Sequence, residues 1–316
     1  MAQAKTSLPA YRSDYRSARR RKFLWFYLLL VPAVVYFLIF KYLPMVGLVM
    51  AFKDISIAEG MKGIFTGKWI GLRHFMRFFR SPMAWRLIRN TLQISLLQIG
   101  FGFPLPIILA VMMSELRSER VQKTIQTVSY LPHFISWVVA SSIIVNLLTT
   151  NGGIVSKLMQ AMGKPPVIIL GNPKYFRSLL VISNVWKEIG WNTIIYVAAI
   201  TAIDQTMYEA AKIDGASRMQ RIWHITIPSI AFIIAMQFVL QAGSILDAGF
   251  DQIFMLYSES VYEVGDIIDT YVYRVGLQQM DYSYATAVGL FKSVVSLIVV
   301  ISVNKFVKKM GYEGIW

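Results

Sequence analysis

An all-α membrane protein with six transmembrane helices is the fold class this sequence predicts, and three observations point to it. The chain has 316 residues, of which 56% are hydrophobic, above the roughly 45–50% apolar share of soluble domains. Its apolar residues gather into six windows, 23–43, 91–113, 127–149, 178–200, 227–249 and 284–304. Each suits the about 20 helical residues that cross a hydrocarbon core of about 30 Å. The windows lack the strict alternation of barrel strands, and a lipid-exposed backbone must close its own hydrogen bonds, so bundled helices follow.

Residues 1–22 form a basic tail carrying Lys5, Arg12, Arg16, Arg19, Arg20, Arg21 and Lys22, which places the N-terminus in the cytoplasm. No A-x-A site follows the apolar run 23–40 before Lys41 and Pro44, so the first window reads as a retained helix and not a cleaved signal. Residues 23–89 combine that helix with a long outer loop. Its stretch 69–86 mixes Phe75, Phe78, Phe79 and Trp85 with Arg73, Arg77 and Arg80, the pattern of an amphipathic helix lying on the membrane surface. Residues 90–306 form a five-helix core containing an inner loop, 204–228. Six spans return the tail 307–316 to the cytoplasm beside Lys305, Lys308 and Lys309. On this topology the inner segments hold modestly more Lys and Arg than the outer ones, so the net charge of +15 reflects membrane orientation and no nucleic-acid partner is expected. The outer link 250–283 carries Glu259, Glu263, Asp266 and Asp269 among tyrosines and reads as a solvated acidic loop.

The fourth window holds Asn184, Trp186, Lys187, Glu188, Trp191 and Asn192. At helical spacing Asn184, Glu188, Trp191 and Asn192 share one side, flanked by Lys187. Ionisable groups inside a span usually face a bundle interior or a wet cavity. Two uses stand side by side. Indole faces beside amides and carboxylates can hold sugar rings by stacking and hydrogen bonding, or the cluster braces the bundle, with Glu188 paired to a cation such as Lys292 of the sixth window. The fifth window offers Gln237, Gln241 and Ser244 on one face, with Asp247 and Asp251 near its outer end, either for a translocation pathway or for helix-to-helix hydrogen bonds. His133, Ser136 and Trp137 in the third window read as packing residues.

The inner loop 209–228, EAAKIDGASRMQRIWHITIP, is the polar island between two apolar runs. Ala210, Ala211, Lys212 and Ile213 favour helix, and Gly215 turns it, so two short helical pieces are expected. Ala210, Ala211, Gly215 and Ala216 are small enough for a partner surface to approach closely, while Arg218 and Arg221 supply charged rim contacts. Pro228 opens the fifth span, where a missing amide proton matters little. The order of Glu209, Ala210, Ala211, Asp214, Gly215, Ala216, Ile225 and Pro228 resembles the EAA loop of ATP-binding-cassette importer permeases. The stretches 131–144 (LPHFISWVVASSII) and 184–217 are similar to the LplB-type subgroup that handles complex oligosaccharides. Family permeases often carry a second proline soon after the first, and residues 229–232 have none.

This resemblance implies the type I importer permease fold in a bacterial cytoplasmic membrane. It implies one half of a pathway completed by a second permease, an extracytoplasmic solute-binding protein outside, and two ATP-binding subunits inside that carry ATP and Mg. The chain itself would need no cofactor. The implied substrate is a complex oligosaccharide, including acidic alginate- or pectin-derived ones. Glu209 to Ala216, with Arg218, Ile225 and Pro228, would transmit the ATPase stroke.

Other chemistries find little support. There is no G-x-x-x-x-G-K-[ST]; the nearest fragment, GIFTGKW at 63–69, has the wrong spacing. Neither H-E-x-x-H nor G-x-S-x-G occurs, His74, His133 and His224 are scattered, and the absence of cysteine excludes thiolate sites. ATP hydrolysis is therefore expected on partner subunits. The alternatives are an amino-acid or peptide permease of the same class, an ion-coupled secondary transporter using Glu188, Asp247 and Lys292 as a relay, and a membrane enzyme using the acidic outer loop.

Overall fold

The computed structural model describes residue 23 and residues 26–311; the basic tail 1–22 and residues 312–316 lie outside the described residues, and with them most of the charge expected to orient the termini. The first helix, α1 (Phe26–Phe52), runs past its apolar window and leaves almost all of its large side chains exposed in the single chain. A two-residue ribbon follows, β1 (Lys53–Asp54) pairing antiparallel with β2 (Lys68–Trp69).

The stretch 69–86 is not one surface helix. It divides into β2, α2 (Arg73–Arg80) and the start of α3 (Pro82–Gly102). Pro82 is the cause: it pushes Ser81 into extended backbone (φ −73°, ψ 134°), ending one helix, while the Ser81 hydroxyl accepts from Met83 N–H and starts the next. α2 buries His74 and Phe78, and Arg77 reaches Asp281 at 2.8 Å and lies 4.2 Å from the Tyr284 ring centre. α2 is thus amphipathic, with one side, His74 and Phe78, packed on the bundle and the other, with Met76, Phe79 and Arg80, exposed.

α3 and α4 (Pro104–Ser114) together make a run of 33 residues. The third window, expected as one span, is broken. α5 (Glu119–Tyr130) passes through a tight turn, Leu131–Phe134, and α6 (Trp137–Leu148) leaves at 102°. Ile135 and Ser136 are extended at the break, and the Ser136 hydroxyl caps α6 by accepting from Val139 N–H at 3.3 Å. At 1.5 Å per residue the 12 residues of α6 span about 18 Å, short of a bilayer. After α7 (Ile154–Ala161), α8 (Pro173–Thr201) begins behind an Asn172 cap and continues for 29 residues. The loop helices α9 (Gln205–Ile213) and α10 (Arg218–Arg221) lead into α11 (Ala231–Gly243), with a 60° bend at Ile230.

The acidic link 250–283 is a solvated loop only in part: Glu259 and Glu263 are exposed, Asp269 is half-buried and Asp266 is buried. It contains α12 (Phe250–Leu256) and α13 (Ile268–Tyr273), and Gln252, Asp266 and Thr270 are fully buried. Asp266 pairs with Arg274 at 2.7 Å and accepts from the Thr270 hydroxyl at 2.8 Å. Asn90 of α3 donates to the carbonyls of Glu263 and Asp266, and Arg177 of α8 donates to Asn90 Oδ1. The final helix, α14 (Tyr282–Lys309), packs on α11 and on the end of α1.

By length and apolarity α1, the α3–α4 run and α14 can cross a membrane, and the two bent pairs raise that number to five. α8 covers the remaining, fourth window and at 29 residues is long enough to cross, its polar centre setting it apart from the other five. It packs on α3, α4 and α5, and one apolar core joins Ile94, Ile144, Phe176, Leu180 and Ile253 from α3, α6, α8 and α12.

Gly190 is what lets α8 lie against α5: a Cβ there would run into the backbone of Ser129 and Tyr130, which cannot yield as a side chain would. Gly190→Ala is expected to lower the thermal unfolding midpoint of the detergent-purified protein, a loss of about 1–3 kcal/mol from overpacking; an unchanged midpoint would show that α8 and α5 can separate freely.

Candidate translocation cleft and coupling loop

Helical spacing carries Asn184, Glu188 and Asn192 to one side of α8. There they face Ser95, Gln98 and Gly102 of α3 and Gln241, Ser244 and Asp247 at the end of α11, around a cleft of about 240 Å³. A second cleft of about 480 Å³ shares Gly102, Pro106, Asn192 and Gln241 with the first and adds Trp191, Tyr196 and Gln237. The two form one furrow between α3–α4, α8 and α11. Of the nine residues expected along a substrate path, Asn184, Glu188, Trp191, Asn192, Gln237, Gln241 and Ser244 line it.

The other two do not. Trp186 lies in a separate apolar cleft with Leu97 and Phe101. Lys187 is only 5% exposed; its ammonium donates to the His133 carbonyl at 2.9 Å and to Glu188 Oε1 at 3.2 Å, and sits 5.4 Å from the Trp137 ring centre. Glu188 is braced, but not by Lys292. Its Oε2 meets His133 Nδ1 at 2.7 Å, and the His133 ring stacks on Trp191 with centroids 4.3 Å apart. Lys292 instead holds Asp247 at 2.6 Å and Asp269 at 2.8 and 2.7 Å. The sequential neighbour and the broken third span reach Glu188 before a distant helix can. His133 and Trp137, read as packing residues, complete this charged cluster.

Sequence reasoning missed Ser95, Gln98 and Gly102. Their three- and four-residue spacing inside an apolar window marks one helix face and was available as a signal. Gln98 donates to Gln252 Oε1 at 3.0 Å, and Gln252 donates to Leu180 O and Ser183 Oγ at 2.7 Å each, so this wall is held rigidly. Two buried polar atoms of the furrow, Ser95 Oγ and Gln241 Oε1, have no hydrogen-bond partner among the described residues. A buried acceptor without a partner is unfavourable by about 1–3 kcal/mol, and a ligand hydroxyl can meet that need.

At the inner loop the sequence pattern translates directly into backbone hydrogen bonds. Asp204 caps α9, accepting from Thr206 N–H at 3.0 Å, and that backbone bond holds its carboxyl below the usual range. α9 then closes with Gly215 N–H on Lys212 O (3.1 Å) and Ala216 N–H on Ala211 O (2.9 Å). This Schellman arrangement requires a left-handed residue, and Gly215 has φ +79°. Ser217 starts α10 at once through a reciprocal box with Gln220. The expected two helical pieces are therefore present, separated by one glycine turn. Tyr208 Oη meets Thr226 Oγ1 at 2.9 Å and pins α9 to the segment before α11. Glu209, Ala210, Asp214, Gly215, Arg218 and Pro228 are exposed, whereas Ala211, Ala216 and Ile225 are half-buried. Ile213, 87% exposed, projects among them.

Comparison with known proteins bears on both features. Over 292 residues the chain is 44% identical to the polygalacturonan/rhamnogalacturonan transport system permease protein YteP of Bacillus subtilis (strain 168), covering 92% of this chain and 90% of the relative. It is also 44% identical to protein LplB of the same organism, over 92% and 91% of the two chains. A crystal structure of a bacterial ABC transporter involved in the import of the acidic polysaccharide alginate contains a chain of 41% identity that superposes with a TM-score of 0.85, covering 93% of this chain and 98% of that one. A second structure, of a bacterial alginate ABC transporter in complex with an alginate pentasaccharide-bound periplasmic protein, matches at 40% identity and the same TM-score over 95% and 99%. Residues 102–312, which hold the loop and all of the furrow but its Ser95–Ile99 edge, match the family described as binding-protein-dependent transport system inner membrane component, and the chain belongs to that family.

Proposed function

We propose that this chain is the permease subunit of an ATP-driven importer of acidic oligosaccharides. The observation that carries the reading is the match along more than nine-tenths of the chain to permeases of polygalacturonan/rhamnogalacturonan and alginate transport. Polygalacturonan and alginate are both polymers of uronic acids, so their fragments bring carboxylates as well as hydroxyls. A furrow walled by amides, hydroxyls and an indole face suits such a ligand, since amides and hydroxyls bond sugar hydroxyls and an aromatic face packs on a pyranose ring.

In this reading a second permease completes the pathway, a solute-binding protein delivers the saccharide from outside, and two ATP-binding subunits dock on the inner side. Nucleotide and Mg belong to those subunits. The N- and C-termini lie in the cytoplasm with the loop 204–228. Ile213 and the small residues around the Gly215 turn offer an apolar knob with close backbone approach, and Glu209 and Arg218 supply charges at its rim. Swinging a two-state population from 1:99 to 99:1 takes about 5.5 kcal/mol of differential binding, which closure of partner ATPase domains on nucleotide can supply.

The deciding experiment reconstitutes the complete transporter in proteoliposomes and follows uptake of alginate or galacturonate oligosaccharides with and without ATP. Uptake that persists without ATP and collapses with the proton gradient would assign the chain to ion-coupled transport instead. Gly215→Pro, which removes the N–H that closes α9 and forbids φ +79°, and Glu209→Lys are expected to leave membrane insertion intact while separating ATP hydrolysis from uptake; normal uptake in both variants would refute the coupling role. In the furrow, Asn192→Ala and Gln241→Ala are each expected to raise the KM for uptake by up to about tenfold, the scale of one lost hydrogen bond of about 0.5–1.5 kcal/mol. Unchanged KM in both would move the pathway elsewhere.

A further inference from the structure

Lys292 stands ten residues, about 15 Å, into α14, and its side chain is 14% exposed. Its three N–H donors are all taken: two by Asp269, one by Asp247. The two partners are unequal. Asp269, on α13, offers both carboxylate oxygens, and its side chain is 24% exposed. Asp247 offers one oxygen from the turns after α11, and its side chain is 64% exposed. Asp247 also lines the 240 Å³ cleft beside Glu188, Asn184 and Gln241.

We propose that Lys292 is the carboxylate-binding residue that selects acidic saccharides, with Asp247 as an internal carboxylate that the substrate displaces. The inference rests on the acidic-oligosaccharide reading above and adds a residue and an exchange to it. Among the described residues no lysine or arginine lines the 240 Å³ cleft, which carries two carboxylates. One of them, Glu188, has both oxygens engaged by Lys187 and His133. Behind each lining carboxylate stands a lysine: Lys187, behind Glu188, is 5% exposed and also bound to the His133 carbonyl, whereas Lys292, behind Asp247, also borders a second cleft and is the one a uronate can reach. Releasing Asp247 is the cheaper exchange because this chain leaves most of its side chain uncovered, whereas Lys292 cannot be left with a bond unmade in its low-dielectric setting. Only another anion can take Asp247's place without loss, so a neutral sugar hydroxyl competes poorly. An ammonium, as a compact point charge with rotatable donors, exchanges one partner more readily than a bidentate guanidinium does. On its other side Lys292 opens to a wider cleft of about 670 Å³ lined by Phe250, Tyr273 and Tyr282, which leaves the ammonium reachable and sets aromatic faces beside it for the ring that bears the carboxylate.

The test is uptake of short oligogalacturonates and alginate oligosaccharides by the complete reconstituted transporter carrying K292Q or D247N. K292Q is expected to raise the KM at least about thirtyfold, the lower end for loss of one partner of a buried charge pair. D247N is expected to act in the opposite direction and lower the KM several-fold, because the internal competitor is weakened. Parallel losses in both variants would identify the trio as a structural clamp and overturn the exchange, as would an unchanged KM in K292Q. Should K292Q fail to assemble, the direction of the D247N shift decides alone. A wild-type transporter that takes up neither saccharide would overturn the acidic-substrate reading itself, an outcome distinct from failure of Lys292.

Discussion

The ammonium of Lys187 is the constraint around which the rest of the bundle is arranged. A charge this buried is unfavourable by several kcal/mol unless it is paired and hydrogen-bonded, and α8 cannot supply all of its partners from its own helical surface. The break between α5 and α6 supplies one. In an unbroken helix the His133 carbonyl would be taken by the N–H four residues on; with Ile135 and Ser136 extended, that carbonyl turns to Lys187 at 2.9 Å. The same break swings the His133 ring onto Trp191 and its Nδ1 onto Glu188. Gly190 allows α5 close enough for all of this. A bent span that looks like a defect in a hydropathy profile is thus the means by which a polar helix is held inside the bundle.

A similar economy governs the segment 250–283. Asp266, fully buried, is met by Arg274 and Thr270, and the carbonyls of its own segment are bound by Asn90, which Arg177 holds in turn. Thr91 receives the Ile268 N–H at 3.0 Å. These bonds fasten the outer segment to the tops of α3 and α8, two walls of the furrow. Pairs of this kind add little net stability compared with apolar packing, yet removing one member costs about 3–5 kcal/mol. Their effect is to fix where the outer segment sits.

Legibility in the sequence followed the range of the interaction. The α9–α10 loop was readable as two helical pieces turned at Gly215, because a left-handed helix end is a local pattern with its own residue preference; the Ser217–Gln220 capping box is equally local and was not read. The periodicity of α8 placed Asn184, Glu188 and Asn192 on one wall for the same reason. Hydropathy windows found the apolar lengths but averaged over Pro132 and Ser136, the two residues that end one helix and start the next. Pairing Glu188 with Lys292 failed because charge alone carries no distance, and the adjacent Lys187 and the folded-back His133 were nearer. The acidic outer link was read as solvated since burial of Asp266 depends on Arg274 and on long-range contacts to α3 that no local pattern encodes. Trp186 was grouped with its polar neighbours by position, although at its place on the helix it faces Leu97 and Phe101.

The loop 204–228 is the covalent link between α8 and α11, the two helices that carry Asn184, Glu188, Asn192, Gln237 and Gln241 into the furrow. From Asn184 to Thr201 α8 rises about 26 Å, and Tyr208 ties α9 to the segment that feeds α11. A displacement applied at the Gly215 turn is therefore delivered to two walls at once, while the third wall, α3, is anchored through Asn90, Thr91 and Gln98 to the outer segment. Under the proposed function this division has a direct consequence. The far end of α8 is tied to that same segment through Arg177 and Gln252, so a stroke at the loop acts on the loop-proximal parts of α8 and α11, and the 60° bend at Ile230 is where α11 can take up a difference in angle.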